Sequence, residues 1–389
     1  MAMMDPDELC AWLRLLLTPR IGPQSVRRLL ATFGSPQAIW QVDVAAWAAC
    51  LGARDAERLR EVPPDWDETC QRTLAWLAEG EGRRQVLTLA DAAYPQALLA
   101  ASDPPIVLFA EGDLRLLDSP AVAVVGSRSP TAQGADNARA FAQALSAVGV
   151  CVVSGLARGI DGAAHEGALD GQPPDGSVGL PGLGGTIAVV GTGLDQVYPK
   201  AHTALAQRIA ARGLLLSEFP LGTPPLPGNF PKRNRIVAAL SQGTLVVEAA
   251  LQSGSLITAR LALEAGREVL AIPGSIHSPQ SKGCHALIKQ GAKLVETAAD
   301  VLEELHLARH PGASADAPQA VDLRFTTTSP TSSPDPILAA MGHDPVSQEA
   351  LSARTGLGPA ELGARLLELE LMGEVARLPG QLFQRLARG

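Results

Sequence analysis

Ala121-Val-Ala-Val-Val125 runs directly into Gly126-Ser127-Arg128, and a helical pattern begins near residue 133. Five consecutive small or β-branched apolar residues fit a strand buried on both faces, as parallel sheets require. The same order of events repeats downstream. Val150–Ser154, Ile187–Val190, Leu214–Ser217, Thr244–Glu248, Glu268–Ile272 and Lys293–Val295 are short apolar runs. Helical candidates separate them, near 133–148, 161–170, 201–212, 233–241, 255–266 and 283–290. Such alternation from 121 onward predicts an α/β fold: a doubly wound, Rossmann-like parallel sheet.

On the N-terminal side, residues 1–80 read as a helical domain. Leu9, Trp12, Leu13, Leu16 and Leu17 recur at helical spacing, as do Val26, Leu29, Leu30 and Phe33. Thr18-Pro19-Arg20-Ile21-Gly22-Pro23 is a turn joining two short helices. The sheet domain is expected over 81–306, with its core in 121–306. Its first part carries two short strands, Gln85–Leu89 and Ile106–Ala110, broken by Pro95, Pro104 and Pro105. Gly171–Gly185 reads as an inserted Gly/Pro-rich loop. Residues 307–336 read as a flexible Pro/Ser/Thr-rich linker. Residues 337–389 offer three short helices and a hairpin, Val375–Leu378 with Leu382–Gln384, the make-up of a winged helix.

The chain has 389 residues and a net charge of −8, which argues against a wholly basic nucleic-acid coat. The charge is uneven: −6 over 1–120, +2 over 121–300 and −4 over 301–389. Residues 229–293 hold 8 basic and 3 acidic side chains, a net +5. The five cysteines show no paired spacing, so neither a disulfide framework nor a zinc site is expected. No basic leader and no long apolar run occurs, so a cytoplasmic protein without a membrane span is expected.

Several loops carry candidate chemistry. Gly126-Ser127-Arg128 at a strand end suits an anion, with Arg128 as a forked phosphate donor. Ser154-Gly155 to Asp161, with His165, forms a second glycine-bearing loop. A hydrolytic triad is not read there, because no nucleophile elbow is present; Asp161 and His165 more simply bond each other or the loop. Gly191-Thr192-Gly193 lacks a third glycine, and no P-loop occurs, so no nucleotide cofactor is expected. Asn229-Phe230-Pro231-Lys232-Arg233-Asn234-Arg235 places three cations around one ring at a helix start, where the dipole opposes them unless an anion docks. Phe230 offers a base a stacking surface, and the combination favours single-stranded nucleic acid. Glu248, then Ser253-Gly254-Ser255, forms another strand-end loop and helix start. Lys200 and Lys289 are expected to add charge to the same rim.

Taken together, these blocks resemble the DNA-processing protein A family (DprA/Smf). The resemblance rests on Gly126–Arg128, Ser154–Asp161 with His165, Gly191–Asp195 with Tyr198-Pro199, Phe230–Arg235, Glu248, Ser253–Ala259, Pro273-Gly274, and Leu287-Ile288 with Gly291-Ala292, in order. The ends resemble that family's sterile-alpha-motif-like and winged-helix domains more loosely. The resemblance implies a non-catalytic, cytoplasmic, homodimeric protein of natural transformation. It would bind and protect single-stranded DNA and load the RecA recombinase. The competing reading is a nucleotide N-ribosidase on the same sheet. That class carries P-G-G-x-G-T followed by Glu, which this chain lacks at the matching strand; Pro181–Thr186 mimics it, but ahead of a strand.

Overall fold

A computed structural model describes residues 4–172, 184–276, 278–307, 335–341 and 345–386. The central sheet has nine strands: β1 (Arg84–Thr88), β2 (Val107–Gly112), β3 (Ala121–Val125), β4 (Cys151–Ser154), β5 (Thr186–Val189), β6 (Leu214–Ser217), β7 (Gly243–Val246), β8 (Glu268–Ala271) and β9 (Lys293–Leu294). Their order is β1-β2-β6-β5-β4-β3-β7-β8-β9. The seven strands from β3 onward are mutually parallel. β2 joins the β6 edge antiparallel, and β1 pairs antiparallel with β2. The sheet is therefore mostly rather than wholly parallel, and the two strands near 81–118 extend it.

Six helices precede the sheet: α1 (Pro6–Leu17), α2 (Pro23–Phe33), α3 (Pro36–Gln41), α4 (Val44–Leu51), α5 (Ala53–Arg60) and α6 (Trp66–Glu79). Between and after the strands come α7 (Gln96–Leu99), α8 (Ala132–Ala147), α9 (Ile160–Gly171), α10 (Thr203–Arg212), α11 (Asn229–Leu240), α12 (Ser255–Glu264), α13 (Lys282–Lys289) and α14 (Ala298–Glu304). Alternation along each strand sorts the faces. Ala121, Ala123 and Val125 share a core with Ile236, Val237, Ala259 and Leu287 of α11–α13. Val122 and Val124 pack instead with Phe141, Leu145 and Ala164 of α8 and α9. On that second face α10 and the N-terminal helices join one core over Phe109, Ala188 and Leu215, anchored by the buried Trp12 and Leu29. The N-terminal helices are thus packed onto the sheet.

From β3 the chain steps outward through β4, β5 and β6, then crosses back to place β7 on the other side of β3. The reversal leaves a crevice at the carboxyl ends of β3 and β7, where such sheets bind ligands. The C-terminal unit contains α15 (Pro336–Met341), β10 (Val346–Ser347), α16 (Gln348–Thr355), α17 (Pro359–Leu371), β11 (Val375–Leu378) and β12 (Leu382–Arg385). It has its own core of Ile337, Leu351, Leu362, Leu366 and Phe383. Most of the expected Gly171–Gly185 loop and 307–336 linker lies outside the described residues. Among the described residues, no helix is long and apolar enough to cross a membrane, and no acidic, His or Cys group is arranged to hold a metal.

Candidate nucleic-acid interface

The β3 loop is built by what fits beneath it. A Cβ on Gly126 would lie 2.6 Å from Ile160 Cγ1 and 2.8 Å from the Glu248 carbonyl, so only glycine allows this approach. Ser127 is buried, and its N–H donates to the Glu248 carbonyl at 2.7 Å. The Glu248 carboxylate accepts from Thr131 N (2.9 Å) and Thr131 Oγ1 (2.6 Å). Thr131 caps α8, accepting from Gly134 N. Glu248 thus brackets β7 to the start of α8. Arg128 is exposed on this loop. Its guanidinium lies 5.8 Å from the Phe230 ring centroid, within cation–π range.

Phe230 sits 5.5 Å from Tyr198, centroid to centroid, with the rings tilted by 39°. Tyr198 is 47 % exposed. Gly191 leaves room for the pair, since a Cβ there would stand 3.0 Å from Phe230 Cδ1. Tyr198 precedes a cis proline, Pro199, and the exposed Lys200 follows. Lys232 is exposed and Asn234 half-buried on the same helix as Phe230. α11 begins without a side-chain cap and without an acidic residue in its first turn. Asn229, its first residue, is 8 % exposed, and its amide nitrogen has no partner within the described residues. Uncapped N–H groups and an orphaned amide donor make this helix start receptive to an anion.

Four other expectations are corrected. Arg233 is 3 % exposed and does not reach the groove. Its guanidinium lies beneath the β4 loop, donating to the Gly155 and Val189 carbonyls. A Cβ on Gly155 would overlap it, at 2.3 Å from Nη1. The cause is register. α11 starts at Asn229 rather than at 233, so Asn229, Arg233, Ile236, Val237 and Leu240 share its buried face. Asp161 is the buried counter-charge. It accepts from Gly155 N (3.1 Å) and Ala157 N (3.3 Å). Burial draws Arg233 down to about 10 and pushes the Asp161 carboxyl up, each offset by the other's charge.

Arg235 turns to the opposite side, pairing with Glu218 and Asp103 and donating to the Asp103 carbonyl at 2.7 Å. Ser154 is fully buried and donates its hydroxyl to the Val124 carbonyl at 2.6 Å, so it shapes the loop and offers nothing outward. No triad forms there. Lys289 is exposed in the last turn of α13, in a shallow cavity with Leu251, Ile276 and His285, beyond β7 and β8 in the strand order from Arg128. Ser253 and Gly254 do sit at a rim helix start. Ser253 Oγ lies 2.7 Å from Ser255 Oγ, α12 has no side-chain cap, and open space surrounds Gly254.

The rim carboxylates are all engaged internally: Asp161 by loop amides, Glu248 by Thr131, Glu218 by Arg235, and Asp195 by Gly222 N at 2.8 Å. Arg128, Arg158, Lys200 and Lys232 are exposed, and none has an ion pair among the described residues. Tyr198, Asn229 and Arg158 are the residues that sequence reasoning left out. Arg158 was legible as a cation between two loop glycines, and Tyr198 as an aromatic ahead of Pro199.

The family model of DNA recombination-mediator protein A matches residues 85–306. A DprA-like N-terminal HHH domain matches 6–41, and a DprA winged helix domain matches 314–381. Protein Smf of Escherichia coli K12 is 41% identical over 379 residues, covering 95% of this chain and 94% of the relative. DNA processing protein DprA of Streptococcus pneumoniae R6 is 49% identical over 217 residues, 56% of this chain and 73% of the relative. A solved structure of the Streptococcus pneumoniae protein superposes with TM-score 0.63 at 39% identity, covering 78% of this chain and 99% of that one. Another, of DNA processing protein A from Helicobacter pylori, was determined for its single-stranded DNA binding mode. It gives TM-score 0.50 at 33% identity, covering 58% and 98%. The extent of these matches, together with the rim just described, shows that the chain belongs to the DNA recombination-mediator protein A (DprA/Smf) family.

Proposed function

We propose that this protein binds single-stranded DNA along the rim of its parallel sheet, without catalysis, in DNA processing during natural transformation. The observation that carries this reading is the Tyr198–Phe230 ring pair with Arg128 over Phe230, on a rim whose carboxylates are all engaged. Exposed bases stack on aromatic faces, whereas paired bases in a duplex are already stacked, so rings beside unpaired cations favour single strands. Ser253 and Gly254, at the uncapped start of α12, are read as a further backbone donor for the phosphate chain. A nucleotide N-ribosidase draws no comparable support, since the carboxylate it would need, Glu248, is tied to Thr131.

Protection of the incoming strand, loading of RecA, a cytoplasmic location and a homodimer belong to the same proposal. For the dimer, Leu251 and Ile276 are 65 % and 67 % exposed, and Ile257 and Leu263 are exposed on α12, whereas Leu287 is core. An apolar face of this kind on the later elements of the sheet suits a second copy. Fluorescence anisotropy with a labelled oligothymidine and a hairpin duplex tests the central claim. Phe230→Ala should weaken single-strand binding by about fivefold or more, since stacking contributes about 1–3 kcal/mol per base. Equal affinity for duplex and single strand, unaltered in the variant, would overturn the reading.

A further inference from the structure

The loop Gly155–Gly159, between β4 and α9, is held at both ends and at its centre. Leu156 has φ +58 with its side chain fully buried, a left-handed conformation that a branched L-residue avoids unless its surroundings impose it. Two histidines hold its flanking peptides. The Leu156 N–H donates to His165 Nε2 at 3.2 Å, and His202 Nδ1 donates to the Leu156 carbonyl at 3.0 Å. His165 is itself fixed: Nδ1–H donates to Thr186 Oγ1 (2.7 Å), whose hydroxyl donates to the Val152 carbonyl (2.7 Å). That chain of donors leaves Nε2 as an acceptor.

At the far end Gly159, φ +81, presses on the β3 loop. A Cβ there would lie 2.3 Å from the Ser127 carbonyl and 2.8 Å from Arg128 C. Consecutive Cα atoms are about 3.8 Å apart, so Arg158 rises beside the Arg128 backbone. Arg158 is exposed, without an ion pair among the described residues. Two exposed cations on touching loops, neither with an ion pair among the described residues, suit a polyanion passing over both.

His202 ends the turn Lys200–His202, directly after Tyr198-Pro199. Its ring lies against α9 because residue 162 is glycine: a Cβ there would stand 2.8 Å from His202 Cε1. His202 therefore ties the loop bearing Arg158 to the segment bearing Tyr198 and Lys200.

We propose that Arg158 is a phosphate-binding residue of the groove, and that His202, through the Leu156 carbonyl, is the positioning residue that presents it. The inference rests on the nucleic-acid reading of the rim. The experiment measures oligothymidine binding by anisotropy over a salt series, in the full chain, with thermal unfolding alongside. Arg158→Ala should lose about tenfold in affinity and flatten the log–log salt slope by about 0.7, one neutralised phosphate. His202→Ala should lose several-fold, and His202→Gln, whose amide can donate to the same carbonyl, should recover most of it.

Gly162→Ala changes none of the proposed groove side chains but crowds the His202 ring out of its place. It should match His202→Ala in binding with an unfolding midpoint no lower than that of His202→Ala, since alanine favours the helix over glycine. The double variant Arg158→Ala/His202→Ala should bind no worse than Arg158→Ala alone. Arg158→Ala binding like the parent while Arg128→Ala loses affinity sinks this inference and spares the rim. No loss in either variant sinks the rim reading as well. Losses that simply add in the double variant refute the role of His202.

Discussion

Replacing Arg233 by methionine separates a structural charge from a binding one. Arg233 is 3 % exposed, donates to one carbonyl of the β4 loop and one at the end of β5, and its charge offsets that of the buried Asp161 carboxylate. Methionine preserves much of the volume but leaves Asp161 uncompensated and both carbonyls without this donor. Leaving a buried carboxylate without its compensating charge costs about 3–5 kcal/mol. The carbonyl losses have the same cause and are not added. The assay is urea unfolding followed by far-UV circular dichroism, because all five tryptophans lie in residues 12–76 and report the N-terminal helices. The midpoint should fall markedly. The deficit should also depend on pH. Without Arg233 the folded Asp161 carboxyl lies higher still, above its unfolded value. Protonated Asp161 is tolerated and ionised Asp161 is not, so the deficit should shrink as pH falls and grow as it rises. Arg233→Lys keeps the charge without the fork and should lose less. An unchanged midpoint combined with a shallower salt dependence of DNA binding would place Arg233 on the groove surface and refute the reasoning.

Arg128→Ala should reduce single-strand affinity by about 1.5–3 kcal/mol in binding titrations while leaving the unfolding midpoint near that of the parent. Burial holds His165 neutral, down to about 3 against an ordinary 6.5, so its contribution to stability is complete above 6.5 and is lost as pH falls toward 3. Calorimetry should show an acid slope of about 1.4 kcal/mol per pH unit across that window, and His165→Gln should flatten it. Ending the chain after Leu307 should leave single-strand affinity within a few-fold, because the C-terminal unit has a separate core and its α17 carries Glu361, Glu368 and Glu370. A hundredfold loss would make that unit a DNA module.

The parallel part of the sheet was legible because most of its strands are short apolar runs, and β3 to β5 end directly in glycine-bearing loops. The antiparallel strands β1 and β2 were visible as strands, but nothing in two proline-broken segments states a direction or a partner. The pattern predicts a helix from 233, whereas α11 starts at Asn229 and takes Pro231 into its first turn, where proline is tolerated. That difference matters most. With the helix begun at Asn229, the spacing of Asn229, Arg233, Ile236, Val237 and Leu240 already puts Arg233 on the core face. The other partners were out of reach of any local pattern: Glu248 meets Thr131 across 117 positions, and Arg235 meets Asp103 across 132. A net charge of +5 over a segment says nothing about which cations have carboxylates waiting elsewhere in the chain.

A buried arginine whose charge offsets a buried aspartate without direct contact is an expensive way to stabilise a core, since apolar residues of similar volume often serve as well. This pair joins the end of β5, the β4 loop, α9 and α11, and α11 carries Phe230. Its placement sets where the ring stands relative to the loop of Arg158. Half of the expected binding charge is therefore not available for binding. The sequence supplies six candidate cations: Arg128, Lys200, Lys232, Arg233, Arg235 and Lys289. At about 0.7 per phosphate they would give a log–log salt slope near −4.2 per protomer. With Arg233 buried, Arg235 paired and Lys289 apart in the strand order, and with Arg158 counted as proposed, four cations remain and the slope becomes about −2.8. Titration of a short oligothymidine against salt, at one strand per protomer, separates the two. A slope near −4 would mean that the buried and paired arginines swing out to meet the strand, and that the rim seen here is not the binding conformation.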